Sequence, residues 1–188
     1  LRDFHENDVW GGLNAMLQCD VPIVASISGA CMGAGVEIAS CCDVRVAGAS
    51  ARFGAPIAKL GFPMAPREAQ LVAGAVGEVV ARQMLLEAAT FSAADMLARG
   101  FLSRVVADDM VATDALGSAQ RVAALAPQAA RLNKQTLRAL KTPSARDSKE
   151  FSAIESIVNG VPDPYGYANS AEHREGITAF LDKRPPVF

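Results

Sequence analysis

Glu37 stands where a carboxylate needs a reason. It follows the run Gly29-Ala30-Cys31-Met32-Gly33-Ala34-Gly35 and is flanked by Val36 and Ile38-Ala39. A glycine-rich turn that opens a helix leaves the first N–H groups without partners, and the helix dipole adds positive character there. Small side chains let a ligand oxygen reach the backbone, which is how an enolate or a tetrahedral oxyanion is held. Close packing of strand against helix asks for the same small residues, so both readings stand on the glycines alone. Glu37 shifts the balance. The dipole favours a carboxylate in the first turn, yet burial raises its pKa, the condition for acid–base work near neutral pH. A capping box is the bland alternative, but it needs Ser or Thr three residues earlier, and that residue is Ala34.

Other uses of the turn fail on their own chemistry. A phosphate loop needs Lys and then Ser or Thr after its last glycine, whereas Gly35 is followed by Val36-Glu37. A dinucleotide fingerprint begins at Gly33-Ala34-Gly35, but Ile38 fills the third glycine's place. Neither Ser26 nor Ser28 follows a glycine, so there is no nucleophile elbow. The four cysteines, Cys19, Cys31, Cys41 and Cys42, match no zinc spacing, and only His5 and His173 are available to help. They read as small, reduced core residues of a cytoplasmic protein.

The elements that must position Glu37 follow from the pattern. Val9, Leu13, Met16 and Leu17 share one face of a helix over about 8–18, which Pro22 stops. Ile23 to Ser28 reads as a buried strand, and Val36 to Cys41 as a buried helix after the glycine turn. Strands are expected at 43–47, 52–54 and 102–106, with a Pro- and Gly-punctuated loop over 55–65. Helices are expected at 66–76, 78–87 and 93–99, the last with Ser92 as N-cap and Asp95 three residues on. From Met110 onward the signals are helical, at about 110–125, 128–141, 147–158 and 171–182. Strands alternating with helices predict an α/β fold with a covered, parallel sheet and a helical tail. A chain of 188 residues with net charge −2 supports an ordinary core and no nucleic-acid surface. No apolar run reaches the roughly 18 residues of a membrane span. The opening residues form no signal peptide and include no initiator Met, so the sequence reads as beginning within a longer protein.

Taken in order, these pieces resemble the crotonase, or enoyl-CoA hydratase/isomerase, superfamily. The likeness runs from Pro22-Ile23-Val24-Ala25 through Gly29 to Ala39. It continues in Cys42-Asp43-Val44-Arg45-Val46-Ala47, Ala51-Arg52-Phe53-Gly54-Ala55-Pro56, Leu60-Gly61 and Gly77-Glu78. Ser92-Ala93-Ala94-Asp95, Gly100 to Val106 and Arg174 to Arg184 complete it. The resemblance implies a spiral of ββα units over 1–109, lacking its opening strands, and a C-terminal helical region over 110–188 that assembles trimers or hexamers. It implies an acyl-CoA substrate that carries its own coenzyme A, and no further cofactor or metal. It implies an enolate held between two backbone amides, one of them donated by Ala34, with Glu37 as acid or base. Phe180 and Lys183 match tail positions that commonly help bind CoA.

One departure bears on function. Hydratases of this superfamily carry a second glutamate where this sequence has Ile57, which can neither activate water nor protonate carbon. The following loop, Gly61 to Pro66, holds no carboxylate, and the next one is Glu68 beside Arg67. Glu68 reads first as a helix-start glutamate, and as a second catalytic carboxylate only if that helix start faces the pocket. The expectation is a hydratase or lyase. The alternative is a non-catalytic acyl-CoA binder that keeps the oxyanion turn.

Overall fold

The structure, a computed structural model, describes residues 2–140 and 165–188. The chain forms two compact units, one of residues 1–19 and 23–119, the other of 20–22 and 120–188. The helix expected at 147–158, with Ile154, Ile157 and Val158, lies outside the described residues.

The first unit opens with a π-helical turn, Phe4–Val9, that runs into α1, Trp10–Gln18. The helix therefore begins earlier than its apolar stripe predicts, because no stripe marks the π turn. Two strands follow, β1 (Val24–Ile27) and β2 (Ala30–Met32), and then α2 (Ala34–Ser40). A second strand pair, β3 (Val44–Gly48) and β4 (Arg52–Gly54), leads through a 3₁₀ turn at Ile57–Leu60 to α3 (Pro66–Val76) and α4 (Glu78–Leu86). β5 (Thr90–Ser92), α5 (Ala93–Ala98), β6 (Arg104–Val106) and α6 (Val111–Ala123) complete the run.

Each of the first two strand pairs sends one strand to each of two small sheets. β1, β3 and β6 form one sheet in the order β1-β3-β6, with Val24 opposite Val44 and Val46 opposite Arg104, all parallel. β2, β4 and β5 form the other, in which β2 and β4 are parallel and β4 and β5 antiparallel. This is the α/β spiral of ββα units that the resemblance implies, with one antiparallel pairing that the sequence reading missed. β2 and β5 are three residues long, too short to show alternation, and β2 hides inside the glycine-rich run.

Between the sheets and helices sits a core that includes Val36, Phe53, Val72, Met84, Met96 and Phe101, all with no exposed surface. Phe53 and Phe101 meet edge to face, centroids 5.9 Å apart. Local signals set the helix ends as expected. Pro66 takes the first position of α3, and Ser92 and Asp95 make a reciprocal capping box on α5.

α2 has only seven residues, so its stability must come from its neighbours. Arg45, on β3, provides much of it. Its guanidinium donates to Phe101 O, to Ala39 O at 3.3 Å and to Cys42 O at 3.0 Å, and lies 4.6 Å over the Phe101 ring. A cation on the last carbonyls of a helix satisfies acceptors that have no intrahelical donor and complements the dipole.

The second unit contains α7 (Pro127–Ala139) and α8 (Ala171–Leu181). Asp20 accepts from Gln135 Nε2 and Arg138 Nη2, both at 2.8 Å, and these bonds hold its carboxyl below the usual range. Gln128 N–H at the start of α7 donates to Glu172 Oε2 at 2.8 Å. Glu175 on α8 accepts two bonds from Arg184 and one from Val187 N–H, which pins the last residues back onto the helix.

Replacing Arg45 by Met should keep the hydrocarbon contact with Phe101 but take the guanidinium from three carbonyls, of which Ala39 O keeps another donor, Cys42 N–H at 3.1 Å. Charge-assisted bonds of this kind are worth about 1.5–3 kcal/mol. We expect a loss of about 2–3 kcal/mol in urea unfolding, with α2 the first segment to gain hydrogen exchange. Unchanged protection over 34–41 would refute the assignment.

Candidate functional site

Gly33 makes the turn that starts α2. Its φ of 51° and ψ of −115° form a combination that side chains rarely allow. Its N–H donates to Gly54 O at 2.9 Å, and its carbonyl accepts from Val36 N at 2.9 Å and Glu37 N at 3.2 Å. The helix start is thereby tied to the end of β4. Ala34 is the first residue of α2, so its amide has no acceptor within the helix, and the residue is exposed.

Glu37 lies one turn further, on the inner side of α2, and is only 6% exposed. Burial pushes its carboxyl up to about 7; the negative charge of Glu68 adds to the rise and His5 opposes it. Glu68 enters from α3, which packs on α2. It is 3% exposed and faces inward. Its Oε1 is 3.0 Å from Nδ1 of His5, in the π turn. Three titratable groups from three separate elements therefore converge, and two of them, Glu68 and His5, influence the third, Glu37.

Beside them opens a cleft of about 520 Å³, lined by His5, Trp10, Phe62, Pro63, Arg67 and Glu68 among others. Arg67 places its guanidinium 5.7 Å over the Trp10 ring. A second cleft, of about 490 Å³, shares Phe62 and Pro63 and continues past Ile57, Met64 and Leu85. The side chains that line it are all apolar. Ile57 stands beside the turn, where a Cβ built on Gly33 would lie 4.0 Å from its Cγ2. Ile57, where the resemblance places the second glutamate of hydratases, is thus close to the turn and carries no proton-transfer group.

Phe180 and Lys183, the expected CoA contacts, belong to the other compact unit, on α8 and just beyond it. Both are exposed, Phe180 to 80%. Buried Cys31 and Cys41 have thiols pushed up to about 11 by burial, which makes them poor nucleophiles. All four cysteines are free, and no cluster suited to a metal occurs among the described residues. No described helix is long and apolar enough to cross a membrane. The sequence reading missed His5, Trp10 and Phe62. No spacing rule joins His5 to Glu68, because the contact spans 63 residues.

Comparison with known proteins agrees with the architecture. The family model described as enoyl-CoA hydratase/isomerase matches residues 3–188. The chain is 34% identical to the 2,3-dehydroadipyl-CoA hydratase of Escherichia coli (strain K12), covering 97% of this chain and 69% of that protein. Among solved structures it superposes with a TM-score of 0.83 on an enoyl-CoA hydratase/carnithine racemase from Magnetospirillum magneticum. That pair is 30% identical, and the match covers 100% of this chain and 67% of the other. Human enoyl Coenzyme A hydratase domain-containing protein 3 gives a TM-score of 0.82 at 27% identity, covering 100% and 72%. The chain belongs to the enoyl-CoA hydratase/isomerase family, the crotonase superfamily, and it spans about two thirds of the length of these relatives.

The turn invites a direct test. A methyl group on Gly33 meets nothing closer than Ile57 Cγ2 at 4.0 Å, so the cost of Gly33→Ala is backbone strain rather than collision. Strain of this kind runs to about 1–3 kcal/mol. We expect that loss in chemical unfolding, and a variant as stable as the parent would show that the turn does not need glycine.

Proposed function

We propose that this chain carries the acid–base centre of an acyl-CoA thioester enzyme of the enoyl-CoA hydratase/isomerase type, a hydratase or a lyase, with Glu37 as the proton-transfer residue. The observation that carries the reading is Glu37 itself. It is a carboxyl buried to 6% exposure, three residues after the Ala34 amide on one short helix, and burial lifts it to about 7. A group balanced near neutral pH can both give and take a proton.

In the hydration direction, the oxygen of water bonds to C3 of a conjugated enoyl thioester and its proton passes to a carboxylate. The C2=C3 electron pair moves toward the thioester, which becomes an enolate. The enolate oxygen rests on the Ala34 N–H, and Glu37 delivers a proton to C2. The proton taken from water then returns to Glu37, and the cycle closes. Dehydration runs the same steps backward. Ile57 offers no proton, so the second carboxylate of this scheme is Glu68, whose burial against α2 supports the role. The apolar cleft past Ile57 suits a hydrocarbon acyl group. Coenzyme A enters as part of the substrate, with Phe180 and Lys183 as its expected contacts, and the free cysteines fit a reduced, cytoplasmic setting.

The alternative, a binder without turnover, draws on Ile57 alone. Glu37→Gln separates the two readings. It should cut hydration, followed by loss of the conjugated enoyl-thioester absorbance, by about 10²–10⁴-fold. Binding of CoA esters should barely change. Because Glu37 must hold its proton to protonate C2, the parent rate should fall as pH rises through about 7. Equal rates for parent and Glu37→Gln on every acyl chain tested would remove Glu37 from the chemistry.

The same reading includes a trimer-based assembly. Ile177, Phe180 and Leu181 on α8 are 51%, 80% and 72% exposed, and closed symmetry is the usual way to cover such residues. Sedimentation of the full-length protein should give a trimer or hexamer, and a monomer at micromolar concentration would contradict it.

A further inference from the structure

The bond between His5 and Glu68 is not what a helix-start glutamate would make for itself. Glu68 is the third residue of α3, where a glutamate commonly folds back to cap its own helix. The N-cap is Ala65, which has no side chain to reciprocate. The carboxyl instead reaches 63 residues away in sequence to the π turn and lies 3.0 Å from His5 Nδ1. Single π turns interrupting helices recur at functional sites. The His5 ring is itself held, edge to face against Phe4 at 5.4 Å, and its side chain keeps 24% of its surface in the cleft. A buried carboxylate beside another carboxylate would otherwise have no donor to fix its direction.

We propose that His5 is a positioning residue for the acid–base pair: by donating from Nδ1 to Glu68 Oε1, it holds that carboxylate turned toward Glu37 as the acceptor of the water proton. The inference rests on the function proposed above. It assigns the two carboxyls different parts. Glu68, accepting a bond from the imidazole, takes the proton from water. Glu37, with no such donor and a raised pKa, keeps a proton to give to carbon. The charges facing this group are Glu37 from α2, Glu68 and Arg67 from α3, and Arg2 and Glu6 from the opening segment. Arg2 and Glu6 are 4.0 Å from each other and exposed, and Arg67 is engaged over Trp10. His5 is therefore the donor that meets Glu68.

The test uses the full-length protein and a panel of enoyl-CoA esters, with parent, Glu37→Gln, His5→Ala and His5→Gln compared. His5→Ala should lower kcat by about 10–100-fold while KM changes less than about 3-fold, a smaller loss than the roughly 10²–10⁴-fold of a proton-transfer group itself. His5→Gln, which retains a donor, should recover most of kcat. His5 opposes the rise of Glu37, so its loss should move the alkaline limb of the pH–rate profile to higher pH in both variants. General loosening of the fold would not give that signed shift. If His5→Ala does not fold by circular dichroism, His5→Phe keeps the ring and its contact with Phe4 but has no donor, and should show the same kcat loss. A donor-less variant that keeps parental kcat and pH profile, while Glu37→Gln is inactive, overturns this inference and leaves the proposed function standing. Parent and Glu37→Gln behaving alike across the panel overturns both.

Discussion

Everything at the site depends on how α2 is held. Seven residues of helix cannot persist alone, and this helix carries both the amide of Ala34 and the carboxyl of Glu37. Its start is tied by Gly33 N–H to Gly54 O, and its end by the Arg45 guanidinium to the carbonyls of Ala39 and Cys42. The two anchors come from β4 and β3, one strand of each sheet. The ββα spiral thus acts as a clamp with one jaw per sheet. The distance along α2 between the amide and the carboxyl is then fixed by helix geometry rather than by side-chain flexibility. The roles proposed for Ala34 and Glu37, holding an oxyanion and moving a proton at the neighbouring carbon, call for that rigidity.

The second constraint is charge. Two carboxyls sit within each other's influence in a poorly hydrated interior, and the only buried cation among the described residues is Lys134, in the other unit. Burial first, and the neighbouring Glu68 charge second, push Glu37 up to about 7. The hydrocarbon at Ile57 keeps a third charge away from the turn and extends the apolar wall of the neighbouring cleft.

Much of this was legible in the sequence wherever the cause is local. The glycine turn, Glu37 in the first turn of a helix, Pro66 at a helix start and the Ser92–Asp95 box all appear where short-range chemistry places them. The ββα order and the helical tail came from the resemblance together with the alternation of strand and helix patterns. What was hidden is either very short or long-range. β2 and β5 have three residues each, and the π turn bears no apolar stripe. The burial of Glu68 could not be read from Arg67-Glu68-Ala69, because a helix start of that composition serves solvent and interior equally well. His5 became significant only when the fold brought it to Glu68 across 63 residues.

The crowding of Glu37 and Glu68 has a consequence for how such a protein changes over generations. A like-charged pair away from water is a place where the folded state is weaker than its packing would allow, and neutral replacements there relieve it. A laboratory selection for heat resistance alone should therefore find Gln, Met or Leu at one of these two positions early, before it improves the core around Phe53 and Phe101. Selection for turnover should hold both carboxyls and collect its stabilising substitutions elsewhere. The position of the first adaptive change would then report which of the two demands the protein was under.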